Sequence, residues 1–133
     1  MKHHAKGPFE VRLNLLDTYD SSDPTFQRRS LNKQFHGDLQ ATSRGEMLSY
    51  GSPAGSGGYV AIEHVIGTLQ GHTGSFALQH NATMNHGVPH MNIIVVPGSG
   101  TGELEGLDGR MTIHIAADGA HSYDFQYTLN AVK

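Results

Sequence analysis

Glu63 and His80 are the residues whose types and settings best suit chemistry. Each interrupts a largely apolar or neutral run: Tyr59-Val-Ala-Ile-Glu63-His-Val-Ile66 and Ser75-Phe-Ala-Leu-Gln-His80-Asn-Ala-Thr-Met84. Desolvation raises the pKa of a carboxyl group in an apolar interior, which makes Glu63 a candidate acid or base near neutrality. An imidazole such as His80 can polarise a bound carbonyl or shuttle a proton. Tyr59 and Tyr127 would add phenols to a cavity wall. Each has an ordinary alternative. Glu63 can face outward or be tied to a cation such as Lys33, and His80 can be a hydrogen-bonded core histidine. The tyrosines can simply pack, as aromatic residues in strands usually do. Glu46 is a second carboxylate whose pairing with Glu63 would suggest acid-base work, although no spacing rule links two different strands.

Other motifs fail their structural context. Gly98-Ser-Gly-Thr-Gly102 invites a phosphate-loop reading, but no helix follows it and no lysine completes it. A glycine-rich turn is the expectation. Ser99 has no strand-turn-helix setting and is not a nucleophile elbow. The chain holds ten histidines, yet the proline in His86-Gly-Val-Pro-His90 spoils helical presentation, and no compact His/Asp/Glu triad stands out. No metal site and no cofactor are expected. Asn81-Ala-Thr83 is a formal glycosylation sequon inside a strand pattern.

The elements that must position these residues are strands. Gly7–Leu15 alternates Phe9, Val11, Leu13 and Leu15 against Glu10, Arg12 and Asn14, the period of a half-buried strand. Phe26–Gln40 alternates with Leu31, Lys33, Phe35, Gly37 and Leu39 on one face. Arg44–Tyr50 places Glu46, Leu48 and Tyr50 together. In the next strand Tyr59, Ala61, Glu63 and Val65 oppose Val60, Ile62, His64 and Ile66. Phe76, Leu78, His80, Ala82 and Met84 share a face, as do Tyr123, Phe125, Tyr127 and Leu129. Met91–Pro97, Met111–Ala116 and Ser122–Val132 complete the set, with Asp118-Gly119 as a hairpin turn. Short strands broken by glycine at this rhythm predict an all-β fold. The expected architecture is a single antiparallel, roughly eight-stranded barrel over residues 1–133.

Composition sets the bounds. A chain of 133 residues is long enough for one domain with a real core. The absence of cysteine rules out disulfides and thiolate chemistry and is compatible with a reducing cytoplasm. A net charge of -3 with scattered basic residues gives no footprint for nucleic acid. No apolar run is long enough to span a bilayer, and Met1–Lys6 precedes no signal-peptide core. The expectation is a soluble cytoplasmic protein.

The run Glu63-His-Val-Ile-Gly-Thr-Leu-Gln-Gly-His-Thr-Gly-Ser-Phe-Ala-Leu-Gln-His80 resembles the central motif of a bacterial family of unknown function. Val95-Val-Pro-Gly-Ser-Gly-Thr-Gly-Glu-Leu-Glu-Gly-Leu107 resembles its second motif. Lys33–Asp38 and His121–Tyr127 resemble its flanking motifs. The resemblance runs from about Ala5 to Leu129 and implies a barrel like that of allene oxide cyclases, eight-stranded and antiparallel with a central cavity. It carries over no activity and no catalytic position. Three readings follow. The barrel binds a small apolar or amphipathic molecule, lined by Tyr59, Glu63, Phe76, Leu78, His80 and Tyr127. Alternatively, it is a cofactor-free cyclase or isomerase using Glu63 and His80 as acid-base groups. In the third reading it is a filled structural or assembly protein. With Glu63 inward, Val60, Ile62 and Ile66 make an outer apolar stripe, so a homo-oligomer is expected.

Overall fold

Apolar residues at period two build strands, and strands that cannot leave an edge bare close on themselves. The computed structural model describes residues 2–52 and 54–130. Among these the chain forms β1 (His3–Leu16), β2 (Phe26–Phe35), β3 (Leu39–Gly51), β4 (Gly57–Leu69), β5 (His72–Asn85), β6 (Val88–Val95), β7 (Thr101–Gly102), β8 (Leu107–Ile115) and β9 (His121–Leu129). All ladders are antiparallel, and the order β4-β3-β2-β1-β9-β8-β6-β5 is closed by β4 pairing with β5. The result is the expected eight-stranded barrel, with β7 added on β5.

Strands predicted to begin at Arg44, Met91 and Met111 begin earlier, at Leu39, Val88 and Leu107, and two further boundaries are corrected. Phe26–Gln40 is not one strand: β2 ends at Phe35, and a turn through Gly37 (φ 85°) opens β3 at Leu39. The alternation runs through this turn because Phe35 and Leu39, on either side of it, both point inward. Three contacts hold the turn. The Leu39 amide donates to the Tyr123 hydroxyl at 2.8 Å, the hydroxyl donates to the His36 carbonyl at 2.6 Å, and the Lys6 amide donates to the Asp38 carboxylate at 2.9 Å. Gly7 permits this approach, since a Cβ there would stand 2.1 Å from the His36 oxygen. The second correction is at the C-terminus, where Ser122–Val132 is found as His121–Leu129; Ala131 and Val132 lie outside the described residues.

The glycine-rich segment after β6 is an edge cover. β6 pairs with β5 only between Leu78 and Asn85, which leaves the other edge of the first half of β5 to the short β7 and the segment around it. Side chains of the segment take the amides along that edge in turn. Glu103 accepts from the Thr73 amide, Thr101 from Ser75 and Ser99 from Ala77, at 2.9, 3.1 and 3.0 Å. Gly74 allows the close contact, because a Cβ there would meet the Thr101 carbonyl oxygen at 2.0 Å. Leu104, on the same segment, is buried in the core.

The interior is filled unevenly. Phe9, Phe35, Leu39, Leu69, Phe76, Leu104, Phe125 and Tyr127 pack one end solid, with Phe76 and Phe125 stacked at 5.8 Å between ring centres. Toward the other end, Leu13, Leu15, Met84, Met91 and Ile115 continue the inward phase of their strands, yet remain 44, 66, 42, 46 and 58% exposed. The seam widens there too, since β6 and β8 share only the Ile93–Met111 and Ile94–Arg110 pairs. Outside, Val60, Ile62 and Ile66 of β4 are exposed, as the outer stripe requires.

The Tyr123 clamp yields a test. Tyr123→Phe removes the hydroxyl that satisfies both sides of the β2–β3 turn, and it should cost about 1–3 kcal/mol. Urea denaturation will check this, with an unchanged midpoint as the contrary result.

Candidate functional site

Four consecutive strands each contribute one side chain at mid-height of the barrel. Lys33 of β2 lies opposite Ser43 of β3, Glu63 of β4 is opposite Gly45, and His80 of β5 is opposite Ala61. Inward phase places all four side chains inside. Glu63 has no exposed surface, and Lys33, Ser43 and His80 are buried with it. Room for the carboxylate comes from Gly45, where a Cβ would stand 2.6 Å from the Glu63 Cα.

The carboxylate is held on both oxygens. Lys33 Nζ lies 3.3 Å from Oε1 and 3.2 Å from Oε2, and Ser43 Oγ donates to Oε2 at 3.3 Å. The ammonium also stands over the Phe9 and Phe35 rings, at 5.0 and 5.7 Å from their centres. His80 Nε2 is 3.5 Å from Oε1 and has no aligned hydrogen-bond partner among the described residues. This contact is therefore chiefly electrostatic. On the far side of the ring, Nδ1 lies 3.4 Å from the Tyr59 hydroxyl.

These contacts reverse the expected titration of Glu63. Burial pushes its carboxyl up, but the His80 ring and the Lys33 ammonium together outweigh burial and hold it below its ordinary value of 4.5. Glu63 is thus ionised at neutral pH, and it is not the proton carrier that desolvation alone would make. Tyr59 is shifted the other way, upward, first by burial and then by the charge of Glu63. Its hydroxyl keeps its proton at neutrality and remains a donor.

The structure separates the sequence-predicted residues by depth. Tyr59 lines an open cavity of about 460 Å3 at the unfilled end, together with Arg29, Met47, Ser49, Ala82, Met84 and Met91. His80 is sealed beneath Tyr59, and Glu63 beneath His80, so neither lines that cavity. Phe76, Leu78 and Tyr127 do not line it either: they belong to the packed end, where the Tyr127 hydroxyl donates to Gln70. Glu46 faces outward and pairs with Arg28 at 2.7 Å, because Gly45 and not Glu46 holds the inward phase opposite Glu63. Sequence reasoning named Lys33 as a partner of Glu63 but missed Ser43 and Arg29. Extending the Leu31–Lys33–Phe35 face back by one step would have found Arg29. Among the described residues no group of three or more His, Asp or Glu side chains is placed to hold a metal ion. No helix among them is long and apolar enough to cross a membrane.

Breaking this pair on one side should be costly. Glu63→Gln or Lys33→Met each strands a buried group, at about 3–5 kcal/mol, and the double variant should recover part of that loss. The pH dependence has a definite sign. A carboxyl depressed in the folded state stabilises above its unfolded value of 4.5 and loses that contribution as pH falls through the folded pKa. Denaturation curves between neutral and acid pH should therefore fall more steeply for the native chain than for the double variant. Equal slopes would mean that the pair contributes nothing.

A family model described as "Protein of unknown function (DUF3224)" matches residues 5–127. A crystal structure of a DUF3224 protein of unknown function from Shewanella oneidensis MR-1 is 41% identical and superposes with a TM-score of 0.90, covering 98% of this chain and 100% of that one. No curated protein matches the chain.

Proposed function

We propose that this chain, which belongs to the DUF3224 family of proteins of unknown function, binds a small apolar or amphipathic molecule in the open half of its barrel. One observation carries the reading: inward-facing Met84 and Met91 line the cavity and are left 42 and 46% exposed, where the same strands elsewhere bury their inward side chains. Apolar side chains that face a barrel interior without filling it favour an occupant that covers them. The cavity falls in the size range of small-molecule sites, roughly 300–1,000 Å3. Its polar groups include Gln27, Arg29 and Ser49, with Tyr59 beside them. The likeness to allene oxide cyclase barrels belongs to this reading, as an architecture with a central cavity.

Binding is preferred to acid-base catalysis because Glu63 is neutralised by Lys33 and neither it nor His80 lines the cavity. Any proton would have to pass through Tyr59. A wholly filled structural barrel is disfavoured by the cavity. The proposal includes a second copy of the chain on the outer face of β4, where Val60, Ile62 and Ile66 are 53, 56 and 52% exposed. It also places the protein in the cytoplasm, which the cysteine-free composition fits.

Phenylnaphthylamine, an uncharged fluorophore, tests the cavity. It should bind with enhanced emission, and Ala82→Trp, which fills the space beside Tyr59, should weaken it about tenfold or more while circular dichroism stays native. Binding that survives the filled cavity would place the site elsewhere. Sedimentation of Ile62→Glu tests the outer face: the native chain should self-associate and the variant should not.

A further inference from the structure

The open half of the barrel carries a charge that no acid among the described residues neutralises. Arg29 of β2 shares the inward phase of Leu31 and Lys33 and lines the cavity. Its neighbours are neutral. The guanidinium donates to the Gln27 side-chain carbonyl and lies 3.5 Å from Ser49 Oγ. Among the described residues the cavity lining holds this guanidinium, one imidazole from His90, and no carboxylate. Among the described residues no acid lies within ion-pair distance of Arg29, whereas Arg28 next to it, facing outward, is paired with Glu46. Lys33, the other inward cation, is already committed to Glu63.

A guanidinium has five donors in a planar fork that matches a two-oxygen anion. With neutral partners on two of its contacts, Arg29 keeps both its charge and spare donors for a third. Apolar side chains share the space: Met47, Met84 and Met91 line it with Tyr59, and Leu15 lies directly opposite Arg29 on β1. A neutral hydrocarbon would use the apolar wall and leave the guanidinium without a counter-charge. We infer that the occupant is an organic oxyanion, its anionic group on Arg29 and its apolar body along the methionine-lined wall. This rests on the binding reading above and names the class of ligand. Carboxylate and phosphate or sulfonate groups share the required chemistry.

Two fluorophores that differ mainly by one anionic group test the inference. Anilinonaphthalene sulfonate should bind the native chain more tightly than uncharged phenylnaphthylamine. Arg29→Gln should weaken the sulfonate about tenfold and leave the uncharged probe unchanged. Arg29→Lys, which keeps the charge but loses the fork, should retain part of the sulfonate affinity, and circular dichroism should show all three proteins folded. Displacement by dodecanoate or by dodecyl phosphate, with dodecanol ineffective, identifies which oxyanion is preferred, and either result supports the inference. If both probes bind alike and Arg29→Gln changes neither, the anion site is wrong while the cavity stands. If neither probe binds the native chain, the cavity reading itself falls.

Discussion

A carboxylate with no exposed surface can persist inside a barrel only if a cation is buried with it, and the Lys33–Glu63 pair meets that condition here. Taking both charges out of water costs several kcal/mol each before their attraction is counted. Ser43, His80 and the Phe9 and Phe35 rings surround the pair and make it tolerable. Gly45 is bound to the same arrangement, since any side chain there would collide with the backbone carrying Glu63. The pair is a poor source of stability and a good source of position. It fixes which residues of β2 to β5 share a level, and so holds His80 and Tyr59 in line above it.

That level divides the barrel. On one side the aromatic core, the Tyr123 clamp and Leu104 on its edge-covering segment leave the end packed. On the other, the strands keep the inward phase but nothing fills it. Arg29, Met47, Tyr59 and Met91 therefore meet solvent across a space that their own side chains do not close. The chemistry available there belongs to Tyr59 and Arg29, because the carboxylate is held ionised below them. A floor whose charges are already matched, under a wall whose guanidinium meets no acid among the described residues, suits recognition better than proton transfer.

The sequence showed faces well and depth poorly. Period two set Glu63 on the face opposite Val60, Ile62 and Ile66 without fixing which side points inward, grouped Phe76 and Leu78 with His80, and offered Lys33 as a partner for Glu63. Alternation carries no record of height along a barrel axis, so Phe76, Leu78 and Tyr127 looked like cavity wall when they belong to the packed end. Ser43 was hidden because it fell between two predicted strands, in a Gln-Ala-Thr-Ser run with little apolar contrast. Glu46, Leu48 and Tyr50 do share a face, but it is the outer one. The pKa direction of Glu63 depends on how closely Lys33 and His80 approach, and no residue pattern gives a distance.

Methionine placement offers the most direct test of a barrel divided in this way. Met47, Met84 and Met91 stand in the open half, while Met111 is buried in the core. With the methionine methyl groups labelled with carbon-13, a nuclear magnetic resonance titration with phenylnaphthylamine reads all of these positions at once. The account predicts large shifts for Met47, Met84 and Met91 and a stationary Met111. Shifts centred on Met111, or none at any of these methyls while the fluorophore binds, would contradict it.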